Sequence, residues 1–432
     1  MINNNTLLSS TALKPLAGIL GIAAIAGMVA TAPSKADAAD FEFWGIQAQF
    51  DTTLTAGATF RTQDRDSSNV GISNGGSAQS VNGDDGNLNY DTGIVSLAFS
   101  ANHELDLQYE NYGAFVRFGY LYDFLNANKD NTEFRDLSDD AVNRVGRRFD
   151  LFDAYVTASY EVGENEMPLD FRVGNQVLSW GESTFIQNGI NSINPIDVAA
   201  FRRPGAEIKE GLIPVNMIYL SQSLTDNLGM EAFYQLEWDQ TVIDNCGTFF
   251  SITDTVADGC NYVAVGAASQ NGVGGPVFSY IPRGADRDAR DDGQFGVSFR
   301  YYAEQLNQTE FGVYAMNFHS RLPTYNTRAL ALGGPDYGAD VPVSQTPGVN
   351  AGASYYIEYP EDIRLYGVSF QTNVGGTALS GEVSYRPNQP MQISTNDLTA
   401  SVLGVATPTS GMIDPVTGDL KGYKRLPITQ AQ

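Results

Sequence analysis

Residues 228–240 read LGMEAFYQLEWDQ, a segment in which apolar and polar side chains alternate along the chain. The even-numbered positions carry the apolar side chains Leu228, Met230, Ala232, Tyr234, Leu236 and Trp238. The odd-numbered positions include the small or polar residues Gly229, Glu231, Gln235, Glu237 and Asp239. A period of two places successive side chains on opposite faces of a β-strand. The segment therefore predicts a strand with one apolar face and one acidic face that requires water.

The same alternation recurs along the chain, for example in NYGAFVRFGYLYDF at residues 111–124. The recurring segments are about as long as a tilted transmembrane strand of roughly 9 to 11 residues. They predict eleven strands, at residues 43–60, 93–109, 112–124, 149–162, 169–180, 215–222, 228–239, 293–304, 309–319, 363–374 and 377–386.

The predicted connections between these strands are alternately long and short. The long ones cover residues 61–92, 125–148, 181–214, 240–292 and 320–362, and the short ones cover 110–111, 163–168, 223–227, 306–308 and 375–376. Short periplasmic turns alternating with long external loops are typical of outer-membrane barrels. A soluble β-sandwich is the alternative, but its loops need not sort by length at alternate ends. The sequence therefore predicts an all-β fold, an antiparallel transmembrane β-barrel of the bacterial outer membrane.

The N-terminal segment predicts export. Lys14 precedes the apolar run LAGILGIAAIAGMVA at residues 16–30, and Ala36-Asp37-Ala38 supplies small residues at a cleavage site. This order is that of a secretory signal peptide, and the apolar run is too short to span a bilayer comfortably. A stop-transfer helix is the alternative, but no basic cluster flanks the run. We expect residues 1–38 to be removed after Ala38, leaving residues 39–432 as the barrel domain.

Composition restricts the class of partner. The chain has 25 Lys and Arg residues against 50 Asp and Glu residues, which gives a net charge of −25 and argues against nucleic-acid binding. The expected partners are outer-membrane lipid and envelope transport proteins, while the sequence indicates no oligomeric state. The only two cysteines, Cys246 and Cys260, lie close together in an exported chain, so a disulfide is a better prediction than a metal pair.

The segment NPIDVAAFRRPGAEIKEG, residues 194–211, predicts a short helix within the 181–214 connection. Asn194 suits the N-cap and Pro195 the first helical position, and the Pro204-Gly205 pair ends the helix. A charged connection of this kind can fold into a barrel and form a constriction. The candidate constriction residues are Arg202, Arg203, Glu207, Lys209 and Glu210. An ordinary external loop is an equally good interpretation of the local sequence.

Two classes of function follow from these patterns. The first is a channel whose lumen is lined by charged strand residues, namely Arg117, Arg172, Glu231, Glu237, Arg300, Glu382 and Arg386. The second is a non-conducting envelope protein that presents its acidic loops or docks an export partner. Residues 74–87, NGGSAQSVNGDDGN, predict a flexible external loop with Asp84 and Asp85 exposed.

Catalytic, cofactor and metal sites are not expected. The only histidines are His103 and His319, and GESTF at residues 181–185 lacks the second glycine of a nucleophile elbow. An outer-membrane hydrolase is therefore a remote alternative. The acids of residues 286–293, DRDARDDG, miss the spacing of a calcium loop. Because Arg283, Arg287 and Arg290 lie among them, local ion pairs are the better prediction.

Several of these segments resemble a known family. The text from Phe171 to Asn216, FRVGNQVLSWGESTFIQNGINSINPIDVAAFRRPGAEIKEGLIPVN, is very similar to the domain of unknown function 1302 family of proteobacterial outer-membrane proteins. Segments from Arg287, Glu310 and Tyr355 also resemble that family. The resemblance implies a barrel in the outer membrane of a Gram-negative bacterium, sometimes linked to the export or handling of hydrophobic compounds. Family members continue for further strands, so we expect this chain to be truncated before its final strands.

Overall fold

The largest element of the fold is an antiparallel sheet of thirteen strands in the order β1-β2-β3-β4-β5-β6-β7-β8-β11-β12-β15-β16-β18. The computed structural model describes residues 39–182, 189–203, 205–265, 280–329, 353–403, 406–414 and 417–431. The strands of the sheet are β1 Ala39–Phe43, β2 Ile46–Arg61, β3 Gly93–Tyr109, β4 Tyr112–Asp123, β5 Arg147–Val162, β6 Met167–Gln176, β7 Val215–Thr225, β8 Leu228–Gln235, β11 Gln294–Ala303, β12 Thr309–Phe318, β15 Ile363–Val374, β16 Thr377–Gln392 and β18 Tyr423–Ala431. The predicted signal peptide, residues 1–38, lies outside the described residues.

All eleven predicted strands are present in this sheet, so the all-β prediction is confirmed. Three predicted boundaries differ from the structure by four residues or more. The strand predicted at 169–180 ends at Gln176, and the strand predicted at 228–239 ends at Gln235, because the chain leaves the sheet there to enter long connections. The strand predicted to end at residue 386 continues to Gln392 past an irregularity between Arg386 and Gln389. Strands β1 and β18 were not predicted.

The connections alternate in length as predicted. Turns such as residues 110–111 and 375–376 join strands at one end of the sheet, and long connections such as 62–92, 177–214 and 236–293 join them at the other. The long connections contain two small sheets, β9 Tyr262–Ala264 with β10 Tyr280–Pro282, and β14 Ala353–Glu358 with β13 Thr324–Ala329 and β17 Asp419–Leu420. The described helices are short: α1 Asp85–Asn89, α2 Asp139–Ala141, α3 Val198–Phe201 and α4 Thr395–Val402. None of them is long and apolar enough to cross a membrane.

The small sheets have their own hydrophobic core. Fully buried side chains from β10, β14, α4 and β17, including Ile281, Tyr355, Ile357, Leu398 and Leu420, pack together. Apolar burial of this extent is the main source of stability for a folded unit. The described parts of the 236–293, 319–362 and 393–422 connections therefore form a packed unit, which together with the 62–92 connection is called the cap.

One face of the large sheet exposes a continuous apolar surface. Directly paired residues on β5, β6, β7, β8 and β11 form one row across it, namely Val156, Val173, Ile218, Tyr234 and Phe295. Each of these side chains is at least 41% exposed. Because side chains alternate along a strand, Arg172, Tyr219, Glu231 and Arg300 of these strands lie on the opposite face.

The opposite face is buried. The described parts of the 177–214 connection pack against it and contribute Leu178, Trp180, Ile190 and Ile193 to a core shared with β7, β8, β12 and β15. Trp180 and Ile190 are both 0% exposed. The sheet therefore has an exposed apolar face and a buried face of mixed polarity.

The prediction that Asp84 and Asp85 are exposed in the segment 74–87 was wrong. Asp84 and Asp85 are 1% and 0% exposed, and Val81 is also buried. The prediction failed because the distant 236–293 connection packs against this segment, which local sequence does not reveal: Asp254 accepts a hydrogen bond from the Asp85 N–H, and a Cβ at Gly86 would lie 2.3 Å from the Thr248 carbonyl oxygen.

Candidate functional site

The candidate functional site is the 177–214 connection together with the charged groups around it. Its first part lies against the buried face of the sheet, where the indole Nε1 of Trp180 donates a hydrogen bond of 2.6 Å to Glu231 Oε2. Two glycines provide space for this packing. A Cβ at Gly296 would lie 2.9 Å from the Trp180 ring, and a Cβ at Gly367 would lie 2.7 Å from Ile190. Close approach of the connection to the sheet therefore depends on these two positions.

Two charged residues of β16 bind the same part of the connection. The Glu382 carboxylate accepts hydrogen bonds from the backbone N–H groups of Glu182 at 2.8 Å and Ile190 at 3.0 Å. Arg386 donates to the Gly189 carbonyl at 2.8 Å and to Ser192 Oγ at 2.7 Å. Charge-assisted hydrogen bonds are about twice as strong as neutral ones, so β16 fixes both ends of the 182–190 segment.

The second part of the connection reaches the other side of the strand order. Lys209 Nζ lies 2.5 Å from Glu104 Oε1 on β3, and a Cβ at Gly205 would lie 2.7 Å from Thr55 Cγ2 on β2. The connection leaves the sheet after β6, yet it contacts β2 and β3 as well as β16. The connection therefore contacts strands near both ends of the strand order.

The helix in this connection begins later than predicted. Helix α3 spans Val198–Phe201, and its N-cap is Asp197, whose Oδ1 accepts a hydrogen bond of 2.9 Å from the Ala200 N–H. Asn194 instead receives the Leu178 N–H at 2.9 Å and donates to the Gln176 and Ile213 carbonyls. Tertiary hydrogen bonds outcompete the local capping preference of Asn194.

The five candidate constriction residues are held in ion pairs. Arg203 pairs with Glu210 at 3.1 Å, and Arg202 pairs with Asp244 at 2.9 Å. Lys209 pairs with Glu207 at 3.0 Å in addition to Glu104, and Glu207 and Glu210 form a capping box around a 3₁₀ turn. Their role in a constriction stays a prediction.

Two polar cavities of about 510 and 250 Å³ lie beside this segment and share five lining residues, namely Arg144, Arg148, Asp150, Gln240 and Val242. Glu210 and Glu237 line the smaller cavity. A set of charged groups that lines adjacent cavities can guide small polar solutes.

An ion cluster missed by the sequence analysis organises these cavities. Arg148 lies 2.7 Å from both Asp150 and Asp197, and Arg144 lies 3.6 Å from Asp197. Burial opposes ionisation of Asp197, but the two arginines outweigh burial and lower the pKa of this carboxyl. The available signal was that Arg148 and Asp150 share one face of β5, but nothing local pointed to Asp197.

Six of the seven residues predicted to face a lumen lie on the buried face of the sheet. Besides Glu231, Glu382 and Arg386, they are Arg117, Arg172 and Arg300. Arg117 pairs with Asp153 at 2.6 Å, and the Arg172 guanidinium lies 4.3 Å from the centre of the Tyr219 ring. Arg300 pairs with Glu310 at 3.1 Å and lies 3.7 Å from Glu231.

The seventh of these residues, Glu237, was wrongly placed on a strand, because β8 ends at Gln235 and the chain enters the next long connection. Its side chain is exposed. Glu237 still lines the smaller cavity, so it remains near the charged groups of the site.

The two cysteines and the acidic segment 286–293 both lie in the cap. Cys246 and Cys260 form a disulfide with their Cα atoms 5.9 Å apart. Local ion pairs were predicted at this segment, and two are present, Arg283 with Asp286 and Arg290 with Asp292. The other pairs join distant segments: Arg287 pairs with Asp419, and Arg290 also pairs with Glu361 and Asp362.

His319 joins two segments of the cap. Its Nδ1 accepts a hydrogen bond of 3.0 Å from the Asp362 N–H, so its Nε2 carries the proton and donates to the Asp292 carbonyl at 2.8 Å. Both ring nitrogens are therefore used in backbone contacts. The other histidine, His103, lies 2.9 Å from Thr52 Oγ1 and stacks on Phe50.

Comparison with known proteins places these features in a family. Comparison with curated proteins gives no match. A family model described as a protein of unknown function, DUF1302, matches residues 19–432. Because the match covers nearly the whole chain, the protein belongs to the DUF1302 family.

Proposed function

We propose that this protein is an outer-membrane β-barrel that conducts small or hydrophobic solutes, with the 181–214 connection as its constriction. The observation that carries the proposal is the polarity of the sheet. Its exposed face carries rows of apolar side chains, while the charged residues Glu231, Glu382 and Arg386 lie on the buried face in contact with the 177–214 connection. Soluble monomers rarely expose apolar patches larger than a few hundred Å². A lipid bilayer is the environment that favours this arrangement.

A second row of paired residues extends the apolar surface. Phe299, Val313, Val368 and Val383 lie directly opposite one another on β11, β12, β15 and β16. They are between 39% and 55% exposed. Together with the row from Val156 to Phe295, they give an apolar band across eight strands, because both rows include β11. A band of this kind supports contact with lipid around much of a barrel.

Exposed aromatic side chains at the short-turn end of the sheet also support the proposal. Tyr109 and Tyr112 flank the turn between β3 and β4, and the Tyr160 hydroxyl donates to the Tyr112 hydroxyl at 3.2 Å. Trp44, in the turn between β1 and β2, is 93% exposed. Aromatic girdles at the membrane–water interface are a feature of transmembrane barrels.

The contacts of the 177–214 connection support its assignment as the constriction. Glu382 and Arg386 bind one part of it from β16, and Glu104 binds Lys209 from β3. In the proposed barrel, a segment that is bound by strands near both ends of the strand order would cross the lumen. Its ion pairs would face solutes in a narrow, poorly screened passage, where charges act more strongly than in bulk water.

A non-conducting envelope protein is the second candidate. The observation that favours it is the cap, whose small sheets, buried core and disulfide give the long connections a defined surface. A defined surface is suited to docking an envelope partner. The expected surroundings, outer-membrane lipid and no nucleic acid, are the same for both candidates.

Conductance of the full-length protein in planar bilayers tests the proposal. The informative variant is Arg202→Ser with Arg203→Ser, which removes the arginine partners of Asp244 and Glu210. The exposed negative charge is expected to shift the reversal potential in a salt gradient toward cation selectivity and to change the single-channel conductance. The matched control is Arg364→Ser with Arg425→Ser, because both of these arginines are solvent-exposed.

The control variant loses the same charge, but salt screens exposed groups over roughly 8–10 Å, so little change is expected. Equal shifts of the reversal potential in the two double variants would contradict the assignment of the 181–214 connection as the constriction. A correctly inserted protein that conducts nothing would favour the envelope-partner candidate instead.

A further inference from the structure

Three aspartates in the cap form a buried acidic cluster that the channel does not use. Asp84 and Asp85 belong to the 62–92 connection and Asp254 to the 236–293 connection. Their side chains are 1%, 0% and 3% exposed. One oxygen from each carboxylate lies within 4.8 Å of the others. Ligands of one calcium ion, each at about 2.3–2.6 Å from it, lie at most about 5 Å apart, so this spacing fits a common ion.

The cluster also contains unsatisfied oxygen atoms. Asp84 Oδ2 accepts from the Gly71 N–H at 2.8 Å, Asp85 Oδ2 pairs with Arg135 at 2.5 Å, and Asp254 Oδ2 receives the Asp85 N–H at 3.3 Å. The Oδ1 atom of each aspartate is buried and has no hydrogen-bond partner among the described residues. A buried acceptor without a partner is costly, and three such oxygen atoms at one place are suited to binding a cation.

The charge of the cluster indicates a cation. Arg135 is the only basic side chain paired with the three carboxylates within the described part of the chain, so the three carboxylates in their ionised form carry two negative charges in excess. A divalent cation would neutralise the remaining charge and use the free oxygens.

We propose that Asp84, Asp85 and Asp254 bind one Ca²⁺ ion that links the 62–92 and 236–293 connections of the cap. All the proposed side-chain ligands are carboxylate oxygens, which hard cations prefer. Mg²⁺ gives up its water shell reluctantly, whereas Ca²⁺ accepts protein oxygens in flexible geometry, so the burial of the site favours Ca²⁺. Binding of Ca²⁺ at this site does not require conductance. The proposal can therefore be tested independently of the proposed channel function.

Calorimetric titration of CaCl₂ into the full-length, detergent-solubilised protein after EDTA treatment tests the site. We expect one Ca²⁺ per chain and weaker binding of Mg²⁺. Asp254→Asn should lower the Ca²⁺ affinity at least about tenfold, since even loss of an outer-shell partner has effects of this order. The matched control is Asp258→Asn, because Asp258 lies in the same connection but is exposed. The control should keep the wild-type affinity.

The unfolding temperature, measured with and without Ca²⁺, distinguishes loss of a Ca²⁺ ligand from misfolding of the variant. Ca²⁺ should raise the unfolding temperature of the wild type and of Asp258→Asn but not that of Asp254→Asn, since a ligand of the native state stabilises it. Formation of the Cys246–Cys260 disulfide reports correct folding of the variant. If Asp254→Asn does not form this disulfide, Asp84→Asn is used in its place in the experiment. Absence of Ca²⁺ binding to the wild type, equal affinity in the Asp254 and Asp258 variants, or preference for Mg²⁺ would overturn the proposal.

Discussion

A single imidazole, His319, holds together segments of the cap that are distant in sequence. Its Nδ1 accepts the Asp362 N–H and its Nε2 donates to the Asp292 carbonyl, a pattern that only the neutral ring can satisfy. Burial lowers the pKa of His319 below its ordinary value. Protonation would place a hydrogen on Nδ1 and break the contact with Asp362.

The first prediction concerns the pH dependence of stability at this residue. Because the folded-state pKa lies below the unfolded value of about 6.5, the stabilising contribution is complete above about pH 6.5 and is lost as the pH falls through the folded pKa. The unfolding temperature of the wild type should therefore fall more between pH 7 and pH 5 than that of His319→Gln. Substitution of the other histidine, His103→Gln, should retain the wild-type slope. A His319→Gln variant with an unchanged slope would contradict this assignment.

The second prediction concerns the space at Gly296. A Cβ there would lie 2.5 Å from the Phe233 ring and 2.9 Å from the Trp180 ring, so Gly296→Val should displace the indole from Glu231. Overpacking of this kind costs about 1–3 kcal/mol, which urea unfolding monitored by tryptophan fluorescence can measure. Gly229→Val on neighbouring β8 is the control, because a Cβ at Gly229 meets no atom within 4 Å. Equal losses in both variants would show that the contact with Trp180 does not matter.

At the scale of elements, alternation predicted long strands and failed for short ones. All eleven long strands were predicted because one face of each strand carries exposed apolar side chains over many residues. Strand β1 is only five residues long, and β18 contains Pro427, so neither gives a clear period. The five strands of the cap are two to six residues long. Their formation depends on packing against one another, which no local pattern encodes.

The candidate site was predictable only in part for the same reason. Strand positions such as Glu231, Glu382 and Arg386 follow from the period of two and share the buried face of the sheet, while their exposure to a lumen stays a prediction. The partners of these residues come from a connection whose path is set by tertiary contacts. Asp85 and Asp254 are 169 residues apart in sequence, yet they are joined by a hydrogen bond. Sequence reasoning therefore missed both the ion cluster at Arg148 and the acidic cluster of the cap.

The third prediction concerns the Cys246–Cys260 connection in the cap. Protein taken from the cell envelope should resist alkylation until a reductant is added, and it should then show two modified thiols by mass spectrometry. Replacing both cysteines by serine should lower the free energy of unfolding by up to about 3 kcal/mol, the value that the chain-entropy model gives for a loop of this size. Two thiols that react without reductant would rule out the disulfide in the cell.

For the molecule as a whole, the decisive question is what covers the exposed apolar face. In water, the rows from Val156 to Phe295 and from Phe299 to Val383 would promote association. In a bilayer, the apolar side chains of these rows would contact the lipid hydrocarbon chains, while the backbone N–H and C=O groups stay hydrogen-bonded within the sheet. Water and lipid differ in the free-energy cost of a charged side chain at the middle of a strand, which is small in water and large in lipid.

The fourth prediction uses two valines on one strand to distinguish these environments. Val368 lies in the middle of β15, and Val374 ends the same strand beside the Gly375-Gly376 turn. The two side chains are on the same face and are 52% and 53% exposed. In a bilayer, Val368→Arg should destabilise the protein by about 2–4 kcal/mol, because its charge lies near the midplane, whereas Val374→Arg should cost only about 0–1 kcal/mol near the interface. Unfolding titrations in lipid vesicles measure both. A water-exposed sheet would tolerate the two arginines equally, so matching costs would contradict insertion of this face into lipid.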